Sequence, residues 1–285
     1  MTKGVKYMLF ATFIFTLMKV LVKSIPNIPP IEIILFRSII SLVISGSILM
    51  SKGISVWGNN KKILIFRGVA GAVALSSFFM LLQQIPLAAA STLQYLSPVF
   101  SAVLGVFILK EKVKWYQFVF FALSFLGIVL VQGFDSRISL EHTLIGIGSA
   151  FFTGLAYNFV RKLKTTEHPL VIIFYFPLVT LPLALIYSLF DWVTPVGLDW
   201  VYLLLIGICT QVAQYFMTRS LQIEAIAKVS ILNYTGIIYS HGFGFFIFGE
   251  QYNLFTYLGM ALVLSGVVLN VWYKSRNSHK EEVSN

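Results

Sequence analysis

Charged residues are scarce in this sequence of 285 residues. Asp, Glu, Lys and Arg together make up 11% of the chain, whereas hydrophobic residues make up 58%, and the mean hydropathy is +0.85. Soluble proteins carry about 25% charged residues, and a surface as apolar as this one would not stay dispersed in water. The composition therefore predicts a protein whose solvent is a lipid bilayer.

Cysteine and the common catalytic motifs are also nearly absent. The single cysteine, Cys209, lies in an apolar run, so neither a disulfide framework nor a cysteine-rich metal site is expected. The sequence contains no HExxH motif, no phosphate-binding loop and no GxSxG motif. An integral-membrane enzyme is therefore disfavoured, and we expect no cofactor. Because no Asp or Glu lies deep in an apolar run, the sequence shows no carboxylate proton relay.

Apolar stretches long enough to cross a membrane occur ten times, since a spanning helix needs about 20 apolar residues. In chain order they are 5-23, 31-50, 63-83, 88-108, 115-132, 143-161, 169-190, 200-219, 225-248 and 255-273. The short connections leave no room for a soluble domain, and no signal-peptide cleavage site follows the first stretch. We therefore expect an all-α integral membrane protein with ten transmembrane helices.

Positive charge is distributed unevenly over the connections. The net charge is +10, from 21 Lys and Arg against 11 Asp and Glu. If the N terminus is cytoplasmic, every basic residue lies on the inner side except Lys19, Lys23, Arg37 and Arg137. This bias follows the positive-inside rule and predicts a multi-pass protein of the bacterial inner (plasma) membrane with both termini in the cytoplasm. The charge is thus a topology signal, and we expect no nucleic-acid partner.

The second half of the sequence repeats the first. A shift of 139 residues aligns Ala88–Val131 with Ala227–Asn270 without gaps, and it places Tyr95 on Tyr234. Shared apolar composition explains some of the identities, but matched tyrosine, glutamate and glycine at fixed spacing indicate a real repeat.

Each copy spans five helices, which divides the chain into residues 1–138 and 139–285. Because five is odd, the second copy enters the membrane in the opposite orientation. Inverted repeats give a protein two related conformations and place the binding site between the halves, near the bilayer midplane. The sequence therefore predicts a transporter that works by alternating access.

Particular motifs support this interpretation. In the first copy, small residues precede a Tyr-Leu-x-Pro turn within 88–100, and Lys110-Glu111 and Gly127 follow. The second copy has corresponding segments at 225–234, Gly249-Glu250 and Gly266. Leu35-Phe36-Arg37 in helix 2 and 156–161 in helix 6 complete the pattern. It resembles the drug/metabolite transporter superfamily, in its ten-helix EamA branch, over nearly the whole chain.

The resemblance implies secondary transport of a small metabolite, such as an amino acid or a related compound. It also implies that helices 1, 3, 4, 6, 8 and 9 surround a central cavity. The second copy departs from the pattern because Gly236-Ile237 stands where the first has Ser97-Pro98, so symmetric hinges in helices 4 and 9 are not predicted. The alternative function is a flippase for a lipid or lipid carrier, with a cavity open sideways. We expect contact with membrane lipids, and a monomer or weak homodimer.

Charges at membrane depth are costly and tend to be functional. Lys19 is either a cavity cation for an anionic substrate or a side chain that snorkels to the outer interface. For Arg37 we expect an ion pair with Glu250 or Glu32 that locks the outer helix ends together. Glu111 and Glu250, in the turns after helices 4 and 9, are interpreted as structural.

Polar side chains are concentrated on helices 3, 4, 6, 8 and 9 of the predicted bundle. They either line a cavity or form hydrogen bonds between helices. The repeat aligns Lys19 with Asn158 and Gln94 with Asn233, which favours a shared cavity. Tyrosines, amides and one lysine suit a small zwitterionic or anionic, partly aromatic metabolite. The predicted substrate-binding residues are Lys19, Gln94, Tyr95, Tyr157, Asn158, Gln211, Gln214, Tyr215, Asn233 and Tyr234.

Overall fold

The computed structural model describes residues 2–110, 115–223 and 231–283. These residues form α-helices and one 3-10 turn, and they contain no β-strand. The helices are α1 (Lys3–Lys23), α2 (Pro30–Ser51), α3 (Lys61–Gln84), α4 (Leu87–Gln94), α5 (Ser97–Ile108), α6 (Trp115–Phe134), α7 (Leu140–Leu163), α8 (Pro169–Ser188), α9 (Asp199–Ile223), α10 (Thr235–Phe248) and α11 (Leu254–Val283). The 3-10 turn, Ile231–Tyr234, leads directly into α10.

Eight helical segments among the described residues are long and apolar enough to cross a membrane, with α4 and α5 together forming one of them. Leu254–Asn270, the apolar part of α11, is a shorter apolar helix. The prediction of an all-helical, multi-pass membrane protein is therefore confirmed. The start of the predicted span 225-248 and the predicted structural residue Glu111 lie outside the described residues. Helix α11 continues ten residues beyond the predicted end of its span at residue 273.

Polar residues in the short connections start the helices. Ser139 Oγ accepts a hydrogen bond from the His142 backbone N at 3.1 Å, and His142 Nδ1 accepts one from the Ser139 N at 3.2 Å. This capping box satisfies two backbone donors at the start of α7. Proline occupies the first position of α2 and of α8, where no N–H is required.

The helix ends form two faces, which we name after the ends of α1. On the Lys3 face, Ser220 Oγ donates to Gly4 O at 2.6 Å and Asn59 Nδ2 donates to Thr166 O at 2.9 Å. These bonds join the starts of α1 and α3 to the ends of α9 and α7. Each of these bonds therefore brings two basic helix ends of the predicted inner side together.

On the Lys23 face, the connections are joined by a different set of bonds. Asn27 Nδ2 donates to Asp199 at 3.0 Å, and Arg137 Nη2 donates to both Asp135 and Gln251 O at 2.7 Å. The hydrogen bond to Asp135 raises the pKa of the Arg137 guanidinium above its ordinary value. Arg137 thus remains a charged tie between the loop before α7 and the loop before α11.

The most extensive packing joins helices that are distant in sequence. The main pairs are α1 with α9, α3 with α7, α2 with α8, and α6 with α11. Each pair joins a helix from residues 1–138 to a helix from residues 139–285. The two parts of the chain therefore bury their helices mainly against each other.

Glycine allows α6 and α11 to approach closely. A Cβ atom on Gly127 would lie 2.6 Å from Gly259 O and 2.7 Å from Val263 N. On the other side of the contact, a Cβ atom on Gly266 would lie 2.6 Å from Phe120 O. Small residues at a helix interface permit such backbone contact in a membrane, where the hydrophobic effect does not drive helices together.

Candidate substrate-binding site

Two segments depart from α-helical geometry in the interior of the bundle. Tyr95 and Leu96 separate α4 from α5, and in the second half the 3-10 turn Ile231–Tyr234 leads into α10. The repeat aligns Tyr95 with Tyr234, so the α4–α5 break and the 3-10 turn lie at equivalent positions. An interrupted helix presents backbone groups to the interior, as the binding sites of many transporters do.

The 3-10 turn in the second half contains no proline. The sequence did not predict symmetric hinges because Gly236-Ile237 replaces Ser97-Pro98, and the segment 224–230 that precedes the turn lies outside the described residues. Gly236 has a different role, since a Cβ atom there would collide with the Tyr95 hydroxyl and lie 3.0 Å from Thr12. The glycine therefore makes room for a tyrosine from the other half.

A pair of tyrosines lies where the α4–α5 break meets the 3-10 turn. The rings of Tyr95 and Tyr234 meet edge to face with their centroids 5.1 Å apart. Tyr95 Oη donates a hydrogen bond of 2.7 Å to Asn233 O. Thr12 Oγ1 on α1 lies 3.2 Å from Asn233 Oδ1. Three of the predicted ligands, Tyr95, Asn233 and Tyr234, are thus in contact.

Lys19 lies one helical turn deeper in α1 than Lys23, and its side chain points toward Tyr95 of the tyrosine pair. Its Nζ donates to Ser91 Oγ at 3.2 Å and lies 5.7 and 5.8 Å from the ring centroids of Phe78 and Tyr95. Ser91 Oγ in turn lies 2.9 Å from Ser240 Oγ on α10. Among the described residues, no carboxylate forms an ion pair with Lys19. The side chain therefore contacts the bundle interior instead of snorkelling to the interface.

Two predicted amides form hydrogen bonds between helices. Gln94 donates to Thr153 Oγ1 at 2.7 Å and accepts from Ser149 Oγ at 3.0 Å. Asn158 is fully buried and donates to Ser101 O at 2.9 Å. Both amides join α7 to the α4–α5 segment, and within the described part of the chain neither is hydrogen-bonded to Lys19.

Tyr157, another predicted ligand, lies on α7. Its side chain is 49% exposed. Tyr157 lines neither the cavity beside Gln211 nor the pocket beside Tyr215.

The three predicted ligands on α9 lie elsewhere. Gln211 Nε2 donates to Ser41 O at 2.9 Å, and both Gln211 and Gln214 line a small cavity next to α2 and α8. Tyr215 is 51% exposed and lines a pocket near the Lys3 face. The structure therefore does not bring these residues together with Lys19.

A largely buried ion pair lies at the Lys23 face, one helical turn from Lys19. Lys23 Nζ lies 3.2 Å from Glu250 Oε1 and donates to Ile85 O at 2.6 Å. Both Glu250 oxygens accept from the Leu87 backbone N at 2.9 Å, and Tyr252 Oη donates to Oε2 at 2.8 Å. Lys23, Leu87, Glu250 and Tyr252 form what we call the Glu250 cluster. A carboxylate is favourable there because it faces the N terminus of α4.

Tyr252 is held as a neutral donor in this cluster. Burial, followed by the charge of Glu250, raises the pKa of the Tyr252 hydroxyl above its ordinary value. Glu250 itself is only 6% exposed. The cluster joins the end of α1, the start of α4 and the loop after α10 at the Lys23 face.

The prediction that Arg37 forms an ion pair with Glu250 or Glu32 is wrong. Arg37 Nε donates to Thr210 Oγ1 at 3.1 Å, Glu250 pairs with Lys23, and Glu32 accepts from the Val193 N at 3.0 Å. Arg37 is seven residues into α2, which places it about 10 Å from the Lys23 face. Glu250 follows the end of α10 at that face, so the two groups lie at different depths.

Sequence reasoning missed Lys23 and Arg67 as interior groups. Both lie close to the end of an apolar stretch, where a basic residue ordinarily faces lipid headgroups. A signal was nevertheless present for Lys23, because the repeat aligns Lys23 with Lys162 and Glu111 with Glu250. Matched pairs of opposite charge near helix ends are candidates for ion pairs across the repeat.

A helical membrane bundle with a broken spanning segment and polar groups beside the break has features of a membrane transporter. Comparison with known proteins places it more closely. Residues 2–132 and 142–272 each match the EamA-like transporter family, so the chain belongs to this family and to the drug/metabolite transporter superfamily.

Several relatives are similar over nearly their whole length. The pseudopaline exporter CntI of Pseudomonas aeruginosa is 30% identical over 264 residues, which cover 92% of this chain and 93% of the exporter. Human solute carrier family 35 member G1 is 27% identical over 95% of this chain and 80% of its own. One crystal structure covers 96% of both chains with a TM-score of 0.67 and 15% identity, so it shows the same fold.

Proposed function

We propose that this protein is a secondary transporter that moves a small zwitterionic or anionic metabolite across the bacterial inner membrane. It works by alternating access between two inverted five-helix halves, residues 1–138 and 139–285, which together form ten membrane spans. Both termini are cytoplasmic, so the Lys3 face is the inner face. The observation that carries the proposal is Lys19, an interior ammonium that has no carboxylate partner among the described residues and lies beside the α4–α5 break.

The contact between α6 and α11 supports the inverted repeat. Gly127 approaches the backbone of residues 259 and 263, and Gly266 approaches that of residues 120 and 124. The shift of 139 residues converts one set of contacts into the other. The helix pairs follow the same rule, since α1 on α9 corresponds to α7 on α3. Two halves related by a twofold axis in the membrane plane would produce this pattern.

The chemistry around Lys19 supports an anionic or zwitterionic substrate. An ammonium at membrane depth is costly unless it has a partner, and here its hydrogen-bond acceptor is the neutral Ser91 hydroxyl. Phe78 and Tyr95 present ring faces to the same ammonium. A substrate carboxylate would therefore replace a weak partner with a strong one, and an aromatic or apolar substrate portion would lie against the rings.

The conformation supports a transporter closed to the outside. The Glu250 cluster joins α1, the start of α4 and the loop after α10 at the Lys23 face, whereas a pocket of about 180 Å³ opens near the Lys3 face. Alternating access then requires that the Glu250 cluster break when the protein opens outward.

A ligand screen tests the function. Purified protein is heated with amino acids, nucleosides and carboxylates, and compounds that raise the melting temperature are tested for flux in proteoliposomes. We expect a zwitterionic or anionic metabolite to be stabilising and to be transported. Stabilisation by lipid-linked compounds alone, without flux of any small solute, would instead identify a flippase.

The membrane orientation is tested with two matched Ser→Cys substitutions. In a Cys209→Ala background, Ser136→Cys on the Lys23 face should react with an impermeant thiol reagent in intact bacterial cells. Ser51→Cys on the Lys3 face should react only after lysis. Both side chains are exposed, so access to the reagent depends on the membrane alone. Labelling of Ser51→Cys in intact cells would reverse the proposed orientation.

Glu250→Gln should open the Lys23 face. The substitution removes the charge that pairs with Lys23 and leaves the ammonium, among the described residues, with backbone carbonyl acceptors alone. Breaking a fully buried ion pair costs about 3–5 kcal/mol, which is an upper bound for this partly exposed lysine. Spin labels on the exposed Gln84 and Gln251 positions, in the Cys209→Ala background, should report a longer distance in a large fraction of molecules.

The control is Glu141→Gln, which removes an exposed carboxylate from the same face. It should leave the distance between the two labels unchanged. If Glu250→Gln gives the distance distribution of the unmodified protein, the Glu250 cluster is not the outer gate.

A further inference from the structure

Two arginines approach one aromatic ring from opposite faces of the membrane. Arg37 lies about 10 Å from the Lys23 face along α2, and Arg67 lies about 9 Å from the Lys3 face along α3. Their Cζ atoms are 5.2 and 4.4 Å from the centroid of the Phe176 ring on α8. Arg37 is 4% exposed. Two like charges that share a site away from water repel each other and require compensation.

The protein supplies little of that compensation. Arg37 Nε donates to Thr210, but the Nη1 of Arg37 and both Nε and Nη1 of Arg67 have no hydrogen-bond partner among the described residues. Within the same residues, no Asp or Glu forms an ion pair with either arginine. Each guanidinium has five N–H donors in a planar fork. Carboxylate and phosphate groups bind arginine through these guanidinium N–H groups, so the unused donors are suited to an oxyanion.

The unused donors border a small cavity between α2, α3, α8 and α9. Its volume is about 20 Å³, room for about one water-sized group. The buried hydroxyl of Ser41 also lacks a hydrogen-bond partner among the described residues. No carboxylate lines the cavity within that part of the chain. The polar lining consists of Arg37, Ser41, Arg67, Thr210, Gln211 and Gln214.

A larger pocket of about 180 Å³ lies next to this cavity. The two spaces share Ile173, and the larger pocket is lined by residues at the Lys3 face. Lys52 and Arg219 give its lining a positive charge, and its described lining contains no acidic residue. Basic walls raise the local concentration of anions, so an anion would reach the arginines from this side.

We propose that Arg37 and Arg67 bind an oxyanion, a carboxylate or phosphate group, that enters through the pocket at the Lys3 face. The small cavity has room for one oxygen atom of the oxyanion, and the remainder of the molecule extends toward the larger pocket. Gln211 and Gln214 contribute amide dipoles around the anion. The site is separate from Lys19 and does not depend on the proposed transport cycle.

Thermal unfolding in neutral detergent tests the site, with the five tryptophans as probes. Succinate and inorganic phosphate are compared with succinamide and with sodium chloride at equal ionic strength. A ligand at about 100 times its Kd stabilises a folded protein enough to raise the melting temperature by about 5 °C or more. We expect this rise with at least one of the two oxyanions and none with succinamide.

Charge-matched variants locate the effect. Arg37→Gln and Arg67→Gln should each abolish the rise, whereas Lys62→Gln, which removes an exposed charge from the helix that carries Arg67, should retain it. All of these variants are made in a Lys19→Gln background, so that an anion bound at the proposed transport site does not contribute to the rise. An oxyanion effect that survives both arginine substitutions would overturn the proposal.

A lipid headgroup could supply the same oxyanion, and a second arm separates the two sources. The protein is placed in nanodiscs of phosphatidylcholine alone or with phosphatidylglycerol, without added solute. An arginine-dependent rise with phosphatidylglycerol but not with succinate or phosphate identifies a lipid headgroup as the ligand. If neither lipid nor solute gives an arginine-dependent rise, the arginines do not bind an oxyanion.

Ser41→Asp keeps the test decisive if the arginine variants do not fold. The new carboxylate would lie in the cavity and pair with the guanidinium groups, so the unliganded protein should melt at a higher temperature. Added oxyanion should then have no further effect. A lower melting temperature together with an undiminished response to oxyanion would contradict the proposal.

Discussion

Replacing Gly127 with leucine should prevent the protein from reaching its folded state. A Cβ atom at this position would lie 2.6 Å from Gly259 O and 2.7 Å from Val263 N, so the collision involves backbone and not flexible side-chain ends. Overpacking of a closed interface typically costs about 1–3 kcal/mol, and here a whole side chain enters a backbone contact. We expect the yield of monodisperse protein after detergent extraction to fall at least tenfold.

Gly133 on the same helix provides the matched control. A Cβ atom at Gly133 would have no atom within 4 Å, so Gly133→Leu adds the same apolar volume toward open space. Size-exclusion profiles of the two variants should therefore differ sharply, with Gly133→Leu close to the unmodified protein. Equal yields for both variants would show that the α6–α11 contact is not needed for folding.

Replacing Lys19 with glutamine should abolish transport while leaving the fold intact. The ammonium is bonded to a neutral serine, so its removal leaves no buried charge without a partner. A glutamine can still bond to Ser91, but it cannot neutralise a substrate anion. For the metabolite found in the ligand screen, we expect at least a tenfold lower rate of flux and a lost thermal shift. The melting temperature without ligand should change by only a few degrees.

Lys6→Gln is the control for this variant because it removes an exposed charge from the same helix. Flux and binding should be unchanged in that protein. Normal transport by Lys19→Gln would show that the lysine has no role in substrate binding, and the proposed site would then have to exclude α1.

The helices and their two faces were predictable because the bilayer imposes simple requirements. An apolar run of about 20 residues has to be helical in lipid, so α1, α2 and α3 begin and end within about two residues of the predicted limits. The clustering of basic connections predicted which helix ends meet on one face. Tyr95 and Tyr234 were named together from the repeat alone, and their rings are in contact.

Side-chain partners were less predictable, because they depend on the depth and rotation of each helix. Arg37 and Glu250 have opposite charges near one face, yet Arg37 lies too deep and bonds to Thr210. Gln94 was predicted as a ligand because it is polar within an apolar span. Its hydrogen bonds to Ser149 and Thr153 depend on how α7 packs against α4, which periodicity does not reveal.

The pairing of distant helices has a consequence for how the protein is made. The partner of Arg37 is Thr210, 173 residues later in the chain, and the amide of Gln94 bonds to residues 55 and 59 positions later. During synthesis, these side chains enter the bilayer before the residues that bond to them have left the ribosome. The first five spanning segments, α1 to α6, are therefore in the membrane before their packing partners are made. A chain truncated before α7 should be a substrate for membrane quality-control proteases.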